Sequence, residues 1–226
     1  MISVIMPVLN EDQVLAKTLQ ALVAQPQVSE VIIVDGGSTD RTEETARQWS
    51  ARLPGYCWLD CRAGRAIQQN TGALQASGKW LLFLHADTLL PPQATALIVN
   101  QPADCVYGCF RHRFSSSSRL LALASRLNNI RTQLTRVAYG DQAMFIQRDL
   151  FIERGMFPEQ LMEDVRFSLM MRDTHRLRIL DEAVVTDSRK FDQIGHWRAL
   201  WWATCLLWQF GRGRDIDHHP FFDDYR

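Results

Sequence analysis

The chain has no excess of either charge: 25 basic residues stand against 25 acidic ones. A neutral chain has no electrostatic reason to wrap nucleic acid. It has no apolar run of the roughly 20 residues that a membrane-spanning helix needs. Its most apolar stretch, Ala199–Phe210, is 12 residues long. Neither G-x-G-x-x-G nor G-x4-G-K-[ST] occurs. Dinucleotide-linked hydride transfer and P-loop chemistry therefore lose their main support. Cysteine is scarce in useful pairs. There are five, and Cys57/Cys61 and Cys105/Cys109 are spaced C-x3-C rather than C-x2-C. Reduced, partly buried thiols in a cytoplasmic protein are the expectation. No basic leader with a cleavable apolar stretch precedes the first strand pattern. No repeat is present, and no linker is long enough to divide residues 1–226 into separate domains.

What is present is a globular composition, with 46% apolar and 22% charged residues. The first 40 residues carry the strongest pattern. Ile2–Met6 is apolar and β-like, and Pro7 is expected to stop it. Val14, Leu15, Thr18, Leu19, Leu22 and Val23 recur on one helical face. Val31–Val34 is an uninterrupted β-branched run, as in a strand covered on both faces. This is a βαβ unit, and in open α/β sheets ligands bind at the carboxyl ends of such strands. Here those ends read Pro7-Val8-Leu9-Asn10-Glu11 and Asp35-Gly36-Gly37-Ser38-Thr39-Asp40.

Further elements follow in order. Asp40 and Glu43 suggest a helix N-cap with a capping-box partner. Tyr56–Leu59, Trp80–Leu84, Cys105–Phe114 and Ala143–Ile146 read as strands, with late strands at Leu177–Leu180 and Val184–Thr186. Gly64–Ala76, Leu120–Val137, Arg148–Arg154 and Glu163–Arg172 read as helices, and Pro91-Pro92 opens another.

Several side chains at these ends suit a charged ligand. Asp35 can accept hydrogen bonds from the edge of a base, or equally close an Asp-Gly turn. Gly36 and Gly37 let backbone approach a ligand closely. Arg65, in the first turn of its helix, faces the strand ends and can stack on a base or pair with a diphosphate. Asn70 and Gly72 permit close helix–sheet packing. His85-Ala86-Asp87 ends the fourth strand, where Asp87 also fits an N-cap. Glu163-Asp164 opens a helix, where acidic residues are favoured in any case. Tyr139–Gln142 reads as a turn or as the acceptor side. Arg189-Lys190-Phe191 and His196 form a basic segment after the last strands.

Taken as an ordered set over Met1–Asp187, these elements resemble the family 2 glycosyltransferases. The resemblance implies an α/β fold of the GT-A type: a Rossmann-like, mostly parallel sheet flanked by helices, followed by a C-terminal helical segment. It implies one glycosyltransferase domain over 1–226, with a nucleotide-sugar half (1–100), an acceptor and catalytic half (101–190) and a helical tail (191–226). The donor is a nucleoside diphosphate sugar, held by Pro7, Asn10, Glu11, Asp35, Gly36, Arg65, Asn70, Ala86 and Asp87. Gly64–Gly72 is similar to the family's G-x-A-x-A-x-N-x-G segment. His85-Ala86-Asp87 stands where the family has Asp-x-Asp, whose last aspartate helps bind a divalent metal. Asp87 is therefore the expected Mn²⁺ or Mg²⁺ ligand. His85 is a second ligand suited to Mn²⁺ more than to hard Mg²⁺. Asp164 is the implied base that deprotonates the acceptor, with Glu163 its neighbour. The stretches Phe83–Thr88 and Leu161–Val165 also resemble a bacterial subfamily found beside radical-SAM and arsenosugar genes. The Gln-x-x-Arg-Trp signature of processive synthases is absent, which implies a single transfer per encounter, and the resemblance implies that the transfer inverts the anomeric carbon.

Two rivals stay open. A sugar-phosphate nucleotidyltransferase wants a Gly-rich, Arg-containing loop after the first strand, which Pro7–Glu11 is not. A non-catalytic nucleotide-sugar binder is suggested by His85 in the metal motif. Nucleic acid is not an expected partner, and the acceptor is not readable. Trp201, Trp202 and Trp208 fit packing against the domain or a second subunit. They also fit a peripheral membrane contact, and packing is the favoured expectation.

Overall fold

The computed structural model describes residues 1–214 and residue 216. Of the 191–226 tail, residues 215 and 217–226 lie outside the described residues. An eight-stranded sheet has the order β3-β2-β1-β4-β7-β6-β8-β5. Its first half is parallel: β1 (Ile2–Val8) lies between β2 (Val28–Asp35) and β4 (Trp80–Phe83), with β3 (Cys57–Asp60) outside β2. Its second half is mixed. β7 (Phe145–Gln147) runs antiparallel to both β4 and β6 (Tyr107–Phe114). β6 runs parallel to β8 (Arg178–Thr186), which ends the sheet against the short β5 (Thr88–Leu89).

Alternation along the strands builds two cores, one on each face. On one face Val4, Met6, Val31, Ile33 and Leu82 pack with Leu15, Leu19 and Leu22 of α1 (Leu15–Val23) and Ile98 of α4 (Ala94–Val99). On the other, Ile5, Ile32, Val34, Leu81 and Phe83 meet α3 (Arg65–Gln75), α6 (Arg148–Glu153) and α7 (Glu163–Arg172). Val31–Asp35 is buried throughout, as a strand covered on both faces requires. Gly72 lets α3 reach the sheet, because a Cβ there would stand 2.6 Å from Ile5 Cγ2. Phe83, Phe151 and Phe157 form an aromatic triangle with centroids 4.8–4.9 Å apart, which fixes the chain just before α7.

Some boundaries move. β1 does not stop at Pro7 but runs to Val8. Ile5 turns its backbone towards β4, since its carbonyl accepts from Leu84 N–H. Pro7, two residues on, faces the same side, where β4 has ended, so its missing N–H costs no ladder bond. The two late strands are one, β8, whose register against β6 jumps between Phe110 and Arg111. No capping box starts α2 (Thr42–Trp49): Asp40 accepts from Thr42 N–H at 2.9 Å, while Glu43 pairs with Arg47. α4 opens at Ala94, after the Pro91-Pro92 turn. α5 (Arg119–Thr135), α8 (Arg189–Ile194) and α9 (His196–Gly211) complete the helices. Cys57, Cys61, Cys105, Cys109 and Cys205 are free thiols. Among the described residues no helix is long and apolar enough to cross a membrane.

Candidate active site

The parallel register puts Val8 opposite Asp35, and Asp35 opposite Asp60, at one end of the sheet. The loops after β1 and β2 interlock there. Asn10, with φ 55°, donates its N–H to Ser38 Oγ at 2.9 Å and accepts Thr39 N–H at 2.8 Å. The Glu11 N–H reaches Thr42 Oγ1 at 2.8 Å. Asp35, buried at the strand end, accepts from Gly37 N–H, Ser38 N–H and Ser38 Oγ. Its carboxylate thus holds its own turn, which limits what it can offer to a base. Gly36 fits where a Cβ would press at 3.2 Å on Ala63 Cα and the Gln68 amide.

Gln68 is a residue that sequence reasoning missed. Buried on α3, it donates from Nε2 to both Val8 O and Val34 O at 2.8 Å. It thereby ties the two strand ends together. The available signal was its place one turn beyond Arg65 on the same helical face. Asn70 has a positioning role: its amide donates to Phe157 O at 2.8 Å and accepts Phe157 N–H at 3.0 Å. It fastens the segment leading into Glu163 to α3.

The fourth strand end brings in the second cluster. Ala86 is buried and its carbonyl accepts from Thr18 Oγ1. Asp87 accepts from Thr88 Oγ1 at 3.1 Å, and its carbonyl receives Asp187 N–H at 2.9 Å. That last bond, with the β5–β8 pairing, carries the C-terminal segment back over the site. There Arg189 forms an ion pair with Glu11. His196 does not join it, but pairs with Asp192 at 2.6 Å. Burial raises the pKa values of Glu11 and Asp87, and the Arg189 guanidinium opposes both shifts.

The third cluster is the acid pair at the start of α7. Asp164 accepts Gly140 N–H at 2.5 Å and Val165 N–H at 2.7 Å, one on each oxygen. Gly140 belongs to a 3-10 turn, Gly140–Gln142, closed by the Gln142 side chain on Tyr139 N–H. Space, not φ, demands glycine at 140. A Cβ there would lie 2.9 Å from His85 Nε2 and 3.3 Å from Asp164 Oδ2. His85 Nε2 is buried with no hydrogen-bond partner in the protein. Burial, then the Arg65 charge, holds His85 well below its usual pKa, so the imidazole is neutral. It therefore faces the Asp164 side of the site. Burial and the Asp164 charge push Glu163 up to about 7. Burial also raises Asp164, while its two N–H bonds act against the rise.

Arg65 unites the clusters. Its positive charge opposes the burial-driven rise in the pKa values of Glu11, Asp87, Glu163 and Asp164 and adds to the fall of His85. Glu11, Arg65, His85, Asp87 and the acid pair are thus brought together, while Asn10, Asp35 and Asn70 shape the surrounding loops. The described residues contain no group of three side chains able to cage a metal. Asp87, a half-buried hard-oxygen group, nevertheless fits a divalent ion that takes most of its ligands from phosphates and water.

Comparison with known proteins bears on the family and the fold. The model of glycosyl transferase family 2 matches residues 3–159. Glycosyltransferase AglE of Haloferax volcanii is 29% identical over 172 residues, covering 71% of this chain and 57% of that protein. A PGL/p-HBAD biosynthesis glycosyltransferase of Mycobacterium bovis is 36% identical over 117 residues, covering 48% of this chain and 46% of that protein. The chain spans about half the length of the curated relatives it matches. Among solved structures, the mannosyltransferase PcManGT of Pyrobaculum calidifontis, in complex with GDP-Man and Mn²⁺, superposes with a TM-score of 0.71 at 20% identity. That match covers 99% of this chain and 68% of that one. TarS of S. aureus, in complex with UDP-GlcNAc, gives 0.65 at 20% identity, covering 82% and 58%. The α/β architecture is the GT-A fold, and the chain belongs to glycosyl transferase family 2.

Proposed function

We propose that this chain moves one sugar from a nucleoside diphosphate donor to an acceptor hydroxyl, with inversion and without processivity. The observation that carries the reading is the convergence of Arg65 with Glu11, Asp87, Glu163 and Asp164 at one sheet end. The GDP-Man and UDP-GlcNAc complexes of the structural neighbours support the donor class. On this reading residues 1–100 hold the donor and 101–190 supply the acceptor side and the base.

Each residue then has a task. Asp164, oriented by the Gly140 and Val165 N–H groups, takes the proton of the acceptor hydroxyl. The acceptor oxygen bonds to the anomeric carbon as that carbon's bond to the diphosphate oxygen breaks. The nucleoside diphosphate leaves with the electron pair. Arg65 meets the charge that develops on it. Glu163 orients the acceptor. Asp87 is the residue that would hold a divalent ion, which when bound neutralises charge on the leaving diphosphate. His85, turned towards Gly140 and Asp164, is better suited to hydrogen-bond sugar or acceptor as a neutral imidazole than to share that ion. The Phe83–Thr88 and Leu161–Val165 stretches support assignment to the radical-SAM and arsenosugar-associated subfamily.

Product analysis over a panel of nucleoside diphosphate sugars tests the reading. Release of free nucleoside diphosphate, with or without added acceptor, is the expected result. Pyrophosphate released from a nucleoside triphosphate and a sugar phosphate would move the chain to nucleotidyl transfer. Donor binding without turnover under any condition would make it a binder.

A further inference from the structure

Helix α5 is buried along one face and apolar along the opposite one. Leu121, Ser125 and Thr132 turn inward and are buried. On the far side Leu123, Leu127, Ile130 and Leu134 follow at helical spacing, with exposures of 52%, 57%, 42% and 79%. Helix α9, which packs against α5, repeats the pattern. Ala199 and Leu206 are buried, while Trp197, Trp201 and Trp208 lie opposite and are exposed by 77%, 67% and 48%. Of the expected packing against the domain or a second subunit, Trp201 and Trp208 do not show the first. A soluble helix ordinarily keeps its outer face polar, and an apolar patch of this extent marks a contact surface.

Among the described residues, helices α5 and α9 carry charged side chains of one sign only. α5 carries exposed Arg119 and Arg126 and no acidic residue, while its Arg131 turns inward to stack on Tyr139. The chain from Trp197 to Arg214 carries Arg198, Arg212 and Arg214 and again none. Arg198 stacks on Trp202 at 4.6 Å, and Arg212 on Trp208 at 3.9 Å. Past Leu134 a pocket of about 200 Å³ is lined by Arg111, Arg136, Arg176 and Arg178, with Asp181 its one carboxylate. A chain of zero formal charge has therefore gathered its cations beside its exposed apolar residues.

We propose that the outer faces of α5 and α9 dock on an anionic lipid bilayer. Tryptophan and arginine belong at the boundary between headgroups and acyl chains. Each arginine near an anionic surface adds attraction, and in the pocket Arg136 and Arg176 suit a headgroup phosphate, Arg111 being held by Asp181 at 2.7 Å. A second copy fits worse. A two-fold contact sets the same patch against itself, so both cationic sets would meet. Leu206 of α9 packs with Val137, Met162 and Val165, and Arg131 of α5 stacks on Tyr139 and bonds to Val137 O, next to the Gly140 turn and Asp164. Docking would hold that end of the site against the bilayer.

Sedimentation of the full chain with vesicles tests this. Binding is expected to phosphatidylcholine vesicles containing phosphatidylglycerol, weak to phosphatidylcholine alone, and reduced by salt. Trp197→Ser with Trp201→Ser should weaken it by about tenfold or more. Leu127→Ser on α5 should weaken it as well, and Arg126→Glu by at least about fivefold. All four side chains lie outside the core, and unchanged circular dichroism checks the fold. Absence of binding to anionic vesicles, or binding indifferent to lipid charge and to these substitutions, overturns the proposal. A dimer in solution that the tryptophan substitutions dissolve overturns it in favour of a second copy.

Discussion

Glu163→Gln removes one carboxylate from the acid pair and leaves its shape. In the folded chain Glu163 is 6% exposed, and burial with the Asp164 charge pushes its pKa from 4.5 to about 7. The unfolded chain ionises it near 4.5. Below that pH both states keep the proton, and the group costs nothing. Between 4.5 and about 7 the unfolded state releases the proton while the folded state retains it, so stability falls as pH rises. Above 7 both are ionised and the loss is complete, at about 3 kcal/mol. Glutamine cannot ionise and escapes this cost. Urea unfolding should therefore show the variant gaining on wild type by about 3 kcal/mol between mildly acidic and mildly alkaline pH, against a typical total of 5–15 kcal/mol. Parallel stability curves for the two proteins across that range would refute the burial argument. A group this costly is kept where chemistry needs it, as at other sites that trade stability for activity.

Four further outcomes are expected. Asp164→Asn should lower transfer by roughly 10²–10⁴-fold in a coupled assay of diphosphate release, with donor affinity by calorimetry little changed. Gly140→Ala sets a methyl 2.9 Å from His85 Nε2. Transfer should fall by about 10²-fold or more as Asp164 and His85 are displaced, while donor affinity stays near wild type. Asp87→Ala should abolish any gain in donor affinity on adding Mn²⁺ or Mg²⁺, read by calorimetry with and without chelator. Gln68→Ala leaves two strand-end carbonyls without their donor. It should cost about 2–4 kcal/mol in urea unfolding and weaken donor binding too.

How much of the site was legible follows from the range of the forces involved. The βαβ unit, the Asp35 turn, Arg65 at the head of α3 and Glu163-Asp164 at the head of α7 were readable, because strand and helix periodicity and turn chemistry are local. The single strand β8 was read as two, since its register jump against β6 at Phe110/Arg111 belongs to a pairing partner in another part of the chain. His85 was readable as a strand-end residue and as a candidate metal ligand beside Asp87, but its neighbour across the site was not. Its ring meets Gly140, 55 positions later in the chain. The Glu11–Arg189 pair, 178 residues apart, had no local signal at all.

By itself the sequence determined the element order, the sheet end at which charged groups gather, and the family. Those depend on neighbours a few residues apart. Only the tertiary structure decided that Asp164 is held by Gly140 N–H, that Gln68 binds two strand ends, and that α5 and α9 show apolar faces outward. Each of these depends on which distant surfaces are buried against each other, and burial is what sets the hydrogen-bond partners, the pKa of Glu163 and the exposure of Trp201.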